Sequence, residues 1–147
     1  MCGIIGYIGT EPAADIVLDA LRRLEYRGYD SSGIATIDKG DLHVSRAVGK
    51  LKMLSAQLAA SPLSGVVGIG HTRWATHGGV TEMNAHPHSA GSNVAIVHNG
   101  IIENYADIKA RLTAAGVTFL SDTDSEVLAH LFHEAFEAGK APVDALN

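Results

Sequence analysis

The sequence predicts one α+β domain in which helices and strands of ordinary length are joined by hairpin-like connections. Three observations carry this expectation. Apolar residues recur at helical spacing in the stretches 12–26, 104–115 and 123–135. Short β-prone runs lie between them, at 2–8, 34–37, 42–48, 66–70, 94–97 and 117–120. Turn signals such as Asp38-Lys39-Gly40-Asp41 separate the runs. A chain of 147 residues suits a single domain over 1–147, burying roughly 70 % of its unfolded surface.

Residues 2 to 8 read as a buried strand, anchored by Ile4, Ile5 and Ile8, with Gly3 and Gly6 admitting the close approach of a backbone or ligand. Pro12 suits a first helical turn, and Ile16, Val17, Ala20, Leu21 and Leu24 mark the inward stripe of a helix to about Tyr26. Asp15, Asp19, Arg22 and Arg23 fall on its solvated side. Arg27 to Gly33 reads as a loop, either an ordinary connection or a site rim, before a strand from Ile34 to Ile37. The Asp38 to Asp41 hairpin leads into a strand near Leu42 to Val48, and Leu51, Leu54 and Leu58 predict a short helix.

After the loop Ser61-Pro62-Leu63-Ser64-Gly65, a strand from Val66 to Gly70 delivers His71-Thr72-Arg73-Trp74-Ala75-Thr76-His77-Gly78. From there to Asn93 the chain is aperiodic and rich in glycine, histidine and asparagine, and a loop of that length inside a compact domain is usually functional. A strand at Val94 to Val97 ends at His98-Asn99-Gly100. Asn104 to Ala115 reads as a helix with Ile108 and Leu112 inward and Gly116 as its stop, followed by a short strand at Val117 to Leu120. Thr123-Asp124-Ser125-Glu126 matches a capping box opening a helix whose apolar side carries Val127, Leu128, Leu131, Phe132 and Ala135. Residues 141–147 read as another helix start, so the expectation is a fragment of a longer chain.

Composition excludes several function classes. The formal charge is −5 and the eleven Lys and Arg are spread along the chain, which leaves no basic stripe for nucleic acid. There is no bilayer-length apolar run and no basic leader ahead of an apolar segment, so neither a membrane nor export is expected. The single cysteine cannot close an internal disulfide, which fits a reducing, cytoplasmic compartment.

That cysteine is Cys2, and removal of Met1 would make it the first residue. A terminal cysteine carries its own base, because a free α-amine titrates near 7.7 to 8.0 and takes the proton of a thiol whose ordinary value is about 8.5. The competing reading is that Cys2 begins a strand and packs as a small hydrophobe.

Five segments in order decide between these readings: Met1-Cys2-Gly3-Ile4-Ile5-Gly6, Arg22 to Gly33, His71 to Gly78, Asn84-Ala85-His86-Pro87-His88 and His98 to Asn104. Together they resemble the glutaminase domain of the glucosamine-6-phosphate synthase family, a branch of the class II glutamine amidotransferases. The Arg73-Trp74-Ala75-Thr76-His77-Gly78 run points to the hexosamine branch. The resemblance implies an N-terminal-nucleophile hydrolase fold, a four-layer αββα sandwich with antiparallel sheets, here truncated at its C-terminus. It implies that Cys2 attacks the amide of glutamine, releasing ammonia and leaving a thioester. It also implies that Asn99 and Gly100 form the oxyanion hole, that Arg73 binds the substrate carboxylate and Asp124 its ammonium, and that Trp74, Thr76 and His77 complete the pocket. No cofactor or metal is expected, and fructose-6-phosphate would bind only through an absent isomerase domain.

On residue type alone, Asn99-Gly100 equally reads as a turn, Asp124 as a helix-dipole partner and Trp74 as core. Two other functions stay open: a zinc module using His71, His77, His86, His88 and His98, and a non-catalytic glutamine-binding or subunit-contact module in which Cys2 is idle. Pairing with another copy is also left open.

Overall fold

Alternation along the central strands decides how the layers stack. In the computed structural model, which describes residues 2–76 and 78–146, β1 (Gly3–Ile8), β2 (Ser31–Asp38), β3 (Asp41–Val48) and β4 (Val67–Arg73) form an antiparallel sheet in the order β1-β4-β2-β3. Ile34 of β2 and its partner Gly70 of β4 face the helix α1 (Ala13–Arg22). A Cβ at position 70 would lie 2.3 Å from Val17 Cγ1, so glycine is what lets α1 settle on the sheet. The helix α2 (Leu51–Ala60) packs on the same core, which holds Val17, Leu18, Leu21, Ile34, Leu51 and Leu54.

Gly33 of β2, one position away, points to the opposite face, where the His86 carbonyl oxygen sits 2.2 Å from where its Cβ would be. There the second sheet begins: β5 (His88–Ala90) paired antiparallel with β6 (Val94–Ile96). The helix α4 (Glu126–Glu137) packs against it through Ala90, Val94 and Ala129. The helix α3 (Tyr105–Ala114) is tied to α4 by two hydrogen bonds of 2.8 Å from Arg111 to Glu134. Helices, four-stranded sheet, two-stranded sheet and helices make an αββα sandwich with antiparallel sheets, as the resemblance implies. Among the described residues no helix is long and apolar enough to cross a membrane.

Several expectations change. β1 is an edge strand, not a buried one: Ile5 and Tyr7 pack on the core, whereas Ile4 and Ile8, on the other face, are 42 % and 81 % exposed. Nothing lies within 4 Å of a Cβ built on Gly6, so close approach applies to Gly3 alone, where Leu24 and Thr72 crowd in. The buried stripe of α1 uses Ala13, Ala14, Val17, Leu18 and Leu21, leaving Ile16 exposed. The helix ends at Arg22, and Glu25–Arg27 form a separate 3-10 turn. Ser31, Ser32 and Gly33 belong to β2 rather than to a loop, because a strand with a neighbour on each side has its backbone groups satisfied whatever its side chains. The long aperiodic stretch contains β5.

Val117 to Leu120 form no strand. Their end is held by the Glu126 carboxylate, which accepts the backbone N–H of Leu120 at 2.8 Å and of Ser121 at 2.7 Å. With Glu126 committed there, the anticipated capping box does not form, and Ser125 precedes α4 without a side-chain cap. Residues 144–146 make only a 3-10 turn. The hairpin at 38–41 is as expected, with Lys39 and Gly40 both at positive φ (52° and 95°), the geometry that matches strand twist in two-residue turns.

Candidate active site

Because β1 and β4 run antiparallel with Gly3 opposite Thr72, the residue before β1 and the residue after β4 meet at one end of the sheet. Those residues are Cys2 and Trp74, and the Trp74 backbone N–H donates to the Cys2 Sγ at 3.2 Å. A cavity of about 500 Å³ opens here, a size suited to a small metabolite. Cys2, Arg73, Trp74 and Thr76 line it from the strand ends, Asn99 and Gly100 from the segment after β6, and Asp124 from the approach to α4. Seven of the eight residues singled out in the sequence therefore share one cavity; the eighth, His77, lies outside the described residues.

The strand end is clamped by Asp30. Its backbone N–H donates to the Arg73 carbonyl at 2.8 Å, and its carboxylate accepts the Ala75 N–H at 2.5 Å and the Ser31 hydroxyl at 2.9 Å. Arg73 is 4 % exposed, and its Nη1 and Nη2 donate to the carbonyls of Gly79 (3.1 Å) and Gly78 (3.5 Å). The same guanidinium that borders the cavity thus also holds the following loop. Trp74 is not a core residue: it is 54 % exposed, with its ring over Gly28, where a Cβ would come within 2.7 Å of Cζ3.

Asn99-Gly100 is not a hairpin turn either. Among the described residues no strand follows it to pair with β6, and Gly100 is not among the positive-φ glycines such a turn requires. The Asn99 side chain instead reaches His71, with Oδ1 and Nε2 2.7 Å apart. Asp124 is 4 % exposed; its Oδ2 accepts the Ile102 N–H at 2.8 Å and its Oδ1 the Ser125 hydroxyl at 3.2 Å. That hydroxyl also meets His98 Nδ1 at 2.9 Å. A carboxylate supported in this way is rigid, and it stands on the opposite side of charge from Arg73 in the same cavity.

Behind the cavity lies a column of buried histidines. His71 and His86 meet edge to face at 4.3 Å between centroids, and His86 and His88 at 4.4 Å. Burial holds His71 and His88 neutral, down to about 4, with Arg73 adding to the effect on both; burial lowers His86 further still. The alternative zinc reading used these three rings as ligands. Their nitrogens meet protein partners: His71 meets Asn99, His88 meets the Thr123 hydroxyl at 2.8 Å, and His86 Nδ1 lies 3.3 Å from His71. Among the described residues no group of three His, Cys, Asp or Glu is arranged to hold a metal ion. Sequence reasoning gave no role to Arg27, Ser125 or Asp30, the first two of which border the cavity. Arg27 and Asp30 do fall in a stretch read as a candidate site rim.

A thiol with a backbone donor on its sulfur, sharing one small cavity with an amide, a cation and an anion, suits acyl transfer from a zwitterionic substrate. Comparison with known proteins gives the same direction. Residues 58–147 match the glutamine amidotransferase domain family. Over 147 residues the chain is 57 % identical to the glutamine–fructose-6-phosphate aminotransferase (isomerizing) of Caulobacter vibrioides, covering 100 % of this chain and 24 % of that protein. It is 56 % identical to the protein of the same name from Mycobacterium tuberculosis, covering 98 % and 24 %. The chain therefore spans about a quarter of the length of these curated relatives. Among solved structures, the glutamine phosphoribosylpyrophosphate amidotransferase of B. subtilis, complexed with ADP and GMP, superposes with a TM-score of 0.74 at 30 % identity, over 90 % of this chain and 29 % of that one.

Proposed function

The chain belongs to the glutamine amidotransferase domain family, and from that premise we propose that it hydrolyses the side-chain amide of glutamine, with Cys2 as the nucleophile. The observation that carries this reading is the Trp74 N–H at 3.2 Å from the Cys2 sulfur, at the mouth of a cavity bordered by Asn99, Gly100, Arg73 and Asp124.

Glutamine enters with its α-carboxylate toward Arg73, whose guanidinium offers two parallel N–H groups, and its α-ammonium toward Asp124. Trp74 and Thr76, which line the cavity, close the pocket around it. The Cys2 sulfur attacks the amide carbon, and the Cys2 α-amine, free once Met1 is removed, takes the thiol proton. The resulting oxyanion is held by the Asn99 side-chain amide and the Gly100 N–H; each such donor is worth roughly 3 to 4 kcal/mol in the transition state. The protonated amine then gives its proton to the departing nitrogen, so ammonia leaves and a glutamyl thioester remains. Water adds to the thioester, glutamate departs, and the thiol is restored.

The relatives carry the words aminotransferase and fructose-6-phosphate in their names. We extend the reading to match: the ammonia released here aminates fructose-6-phosphate at a separate domain, supplying hexosamine synthesis in the cytoplasm. Support for the compartment is the single free thiol. Glutamine hydrolysis is tested by measuring glutamate and ammonia together. Equal yields that vanish in Cys2→Ala support the reading, and glutamine binding without turnover would make the chain a non-catalytic module.

A further inference from the structure

The proposed oxyanion donor has a directional problem. An asparagine side chain is a donor at one end and an acceptor at the other, and only its Nδ2 end stabilises an oxyanion; turned over, Asn99 would present Oδ1 and repel the charge. We infer that His71 is the positioning residue that sets this direction, donating its Nε2–H to Asn99 Oδ1 so that Nδ2 faces the glutamine amide. The inference rests on the glutaminase reading above and adds a residue to it.

The geometry is built for the purpose. His71 Nε2 lies 2.7 Å from Asn99 Oδ1, and the ring is 1 % exposed, so water does not compete for the bond. His71 is paired on β4 with Ile4 on one side and Gly33 on the other, in the middle of the sheet, which fixes its backbone. Its ring is braced by His86, whose Nδ1 approaches both nitrogens of His71 at 3.3 Å. His86 in turn rests on His88.

The proton positions behind this brace follow from the acceptors. Glu126, ionised, only accepts, so the Ser121 hydroxyl donates to it at 2.6 Å. Ser121 Oγ must then receive the Thr123 hydroxyl at 2.9 Å, and Thr123 Oγ1 must receive His88 Nε2–H at 2.8 Å. His88 therefore carries its proton on Nε2, with its ring held from the α4 end. In the inferred arrangement His71 carries its proton on Nε2, facing Asn99 Oδ1 at 2.7 Å, and the His98 backbone also hydrogen-bonds the His71 ring. The column of rings is thus a support whose last member hands one N–H to the catalytic amide.

Two measurements test this. The first is the tautomer of His71 in the wild-type chain, read from 15N shifts after histidine labelling. Nε2–H is expected, and an Nδ1–H tautomer with a bare Nε2 overturns the inference without any variant. The second is a double-mutant cycle on glutamine hydrolysis. Asn99→Ala should lower kcat about 10²- to 10³-fold. His71→Leu should lower kcat at least tenfold with KM changed less than threefold, and should have no further effect in the Asn99→Ala background, because it acts only through that amide.

His71→Gln, which keeps a donor at similar reach, should recover most of the lost rate. Effects of His71→Leu that multiply with those of Asn99→Ala would show general damage and refute the positioning role, as would an unchanged kcat. If His71→Leu fails to fold, the tautomer and His71→Gln still decide the matter. A wild type that folds but releases no glutamate refutes the glutaminase reading itself, and this inference with it; an active wild type with the wrong tautomer refutes only the inference.

Discussion

Acid should unfold this protein through its buried histidines before its carboxylates are exhausted. His71 and His88 are held near 4, against about 6.5 for an imidazole in water, and burial is the main cause for both. Between those two values the unfolded chain binds protons that the folded chain refuses. Stability is therefore fully present above pH 6.5, falls as the pH drops through the window, and has lost the whole contribution below pH 4. The loss is roughly 3 kcal/mol per ring, a large share of the 5 to 15 kcal/mol typical of a domain. His86, pushed down by burial and by its two histidine neighbours, acts in the same direction. The assay is urea denaturation at intervals from pH 7.5 to 4.5, comparing the wild type with His88→Gln, whose amide keeps a donor for Thr123 but does not titrate. The variant should show a shallower slope by up to about 1.4 kcal/mol per pH unit, one proton's worth, with carboxylate effects cancelling between the two. Superimposable slopes would refute the claim that His88 is refused its proton in the fold.

Arg73→Lys should lower kcat/KM for glutamine by about tenfold or more, since a point charge cannot serve the carboxylate as a fork does nor reach both Gly78 and Gly79 carbonyls; an unchanged value would remove Arg73 from the site. Gly33→Ala should cost about 3 kcal/mol, because its Cβ meets the His86 and Ser45 carbonyl oxygens at 2.2 and 2.9 Å and neither backbone can retreat freely. Calorimetry should show a Tm lower by roughly 6 to 12 °C, and a shift under 2 °C would contradict the packing of the two sheets at that point. Protein that retains Met1 should be inactive even when folded, since the nitrogen of Cys2 is then an amide without useful basicity. Activity across preparations should track the fraction starting at Cys2 by mass spectrometry, and full activity in uniformly Met1-retaining protein would require another base.

What the sequence made legible was mostly local. The 38–41 hairpin, the Leu51, Leu54 and Leu58 stripe and the Gly116 stop were read correctly because neighbouring residues determine them. The strand ends at Cys2, Arg73 and Asn99 stood out because polar residues followed apolar runs. Errors arose where distant residues decide. Nothing in β1 says which of its faces is covered, so Ile4 and Ile8 looked like anchors. Ser31 to Gly33 looked like a loop because small polar residues satisfy themselves in turns, yet β3 and β4 supply partners on both sides. Val117 to Leu120 have strand-like side chains but no neighbouring strand, and Glu126 takes the backbone donors instead. Asn99 was assigned through resemblance alone, since its own dipeptide favours a turn. His71, His86 and His88 entered only as candidate ligands of the alternative zinc reading, because spacing along the chain does not show that these rings meet edge to face behind the cavity.

The central claim is that the Cys2 sulfur forms a bond to the glutamine side chain. The direct measurement is intact-mass and peptide-level spectrometry of Met1-free protein after acid quenching during turnover of glutamine, with an electrophilic glutamine analogue in a parallel sample. The account predicts a glutamyl adduct on Cys2 in the first sample and one stoichiometric label on Cys2 in the second, both lost in Cys2→Ala along with ammonia release. Ammonia production that persists in Cys2→Ala, or a label on any other residue, would contradict it.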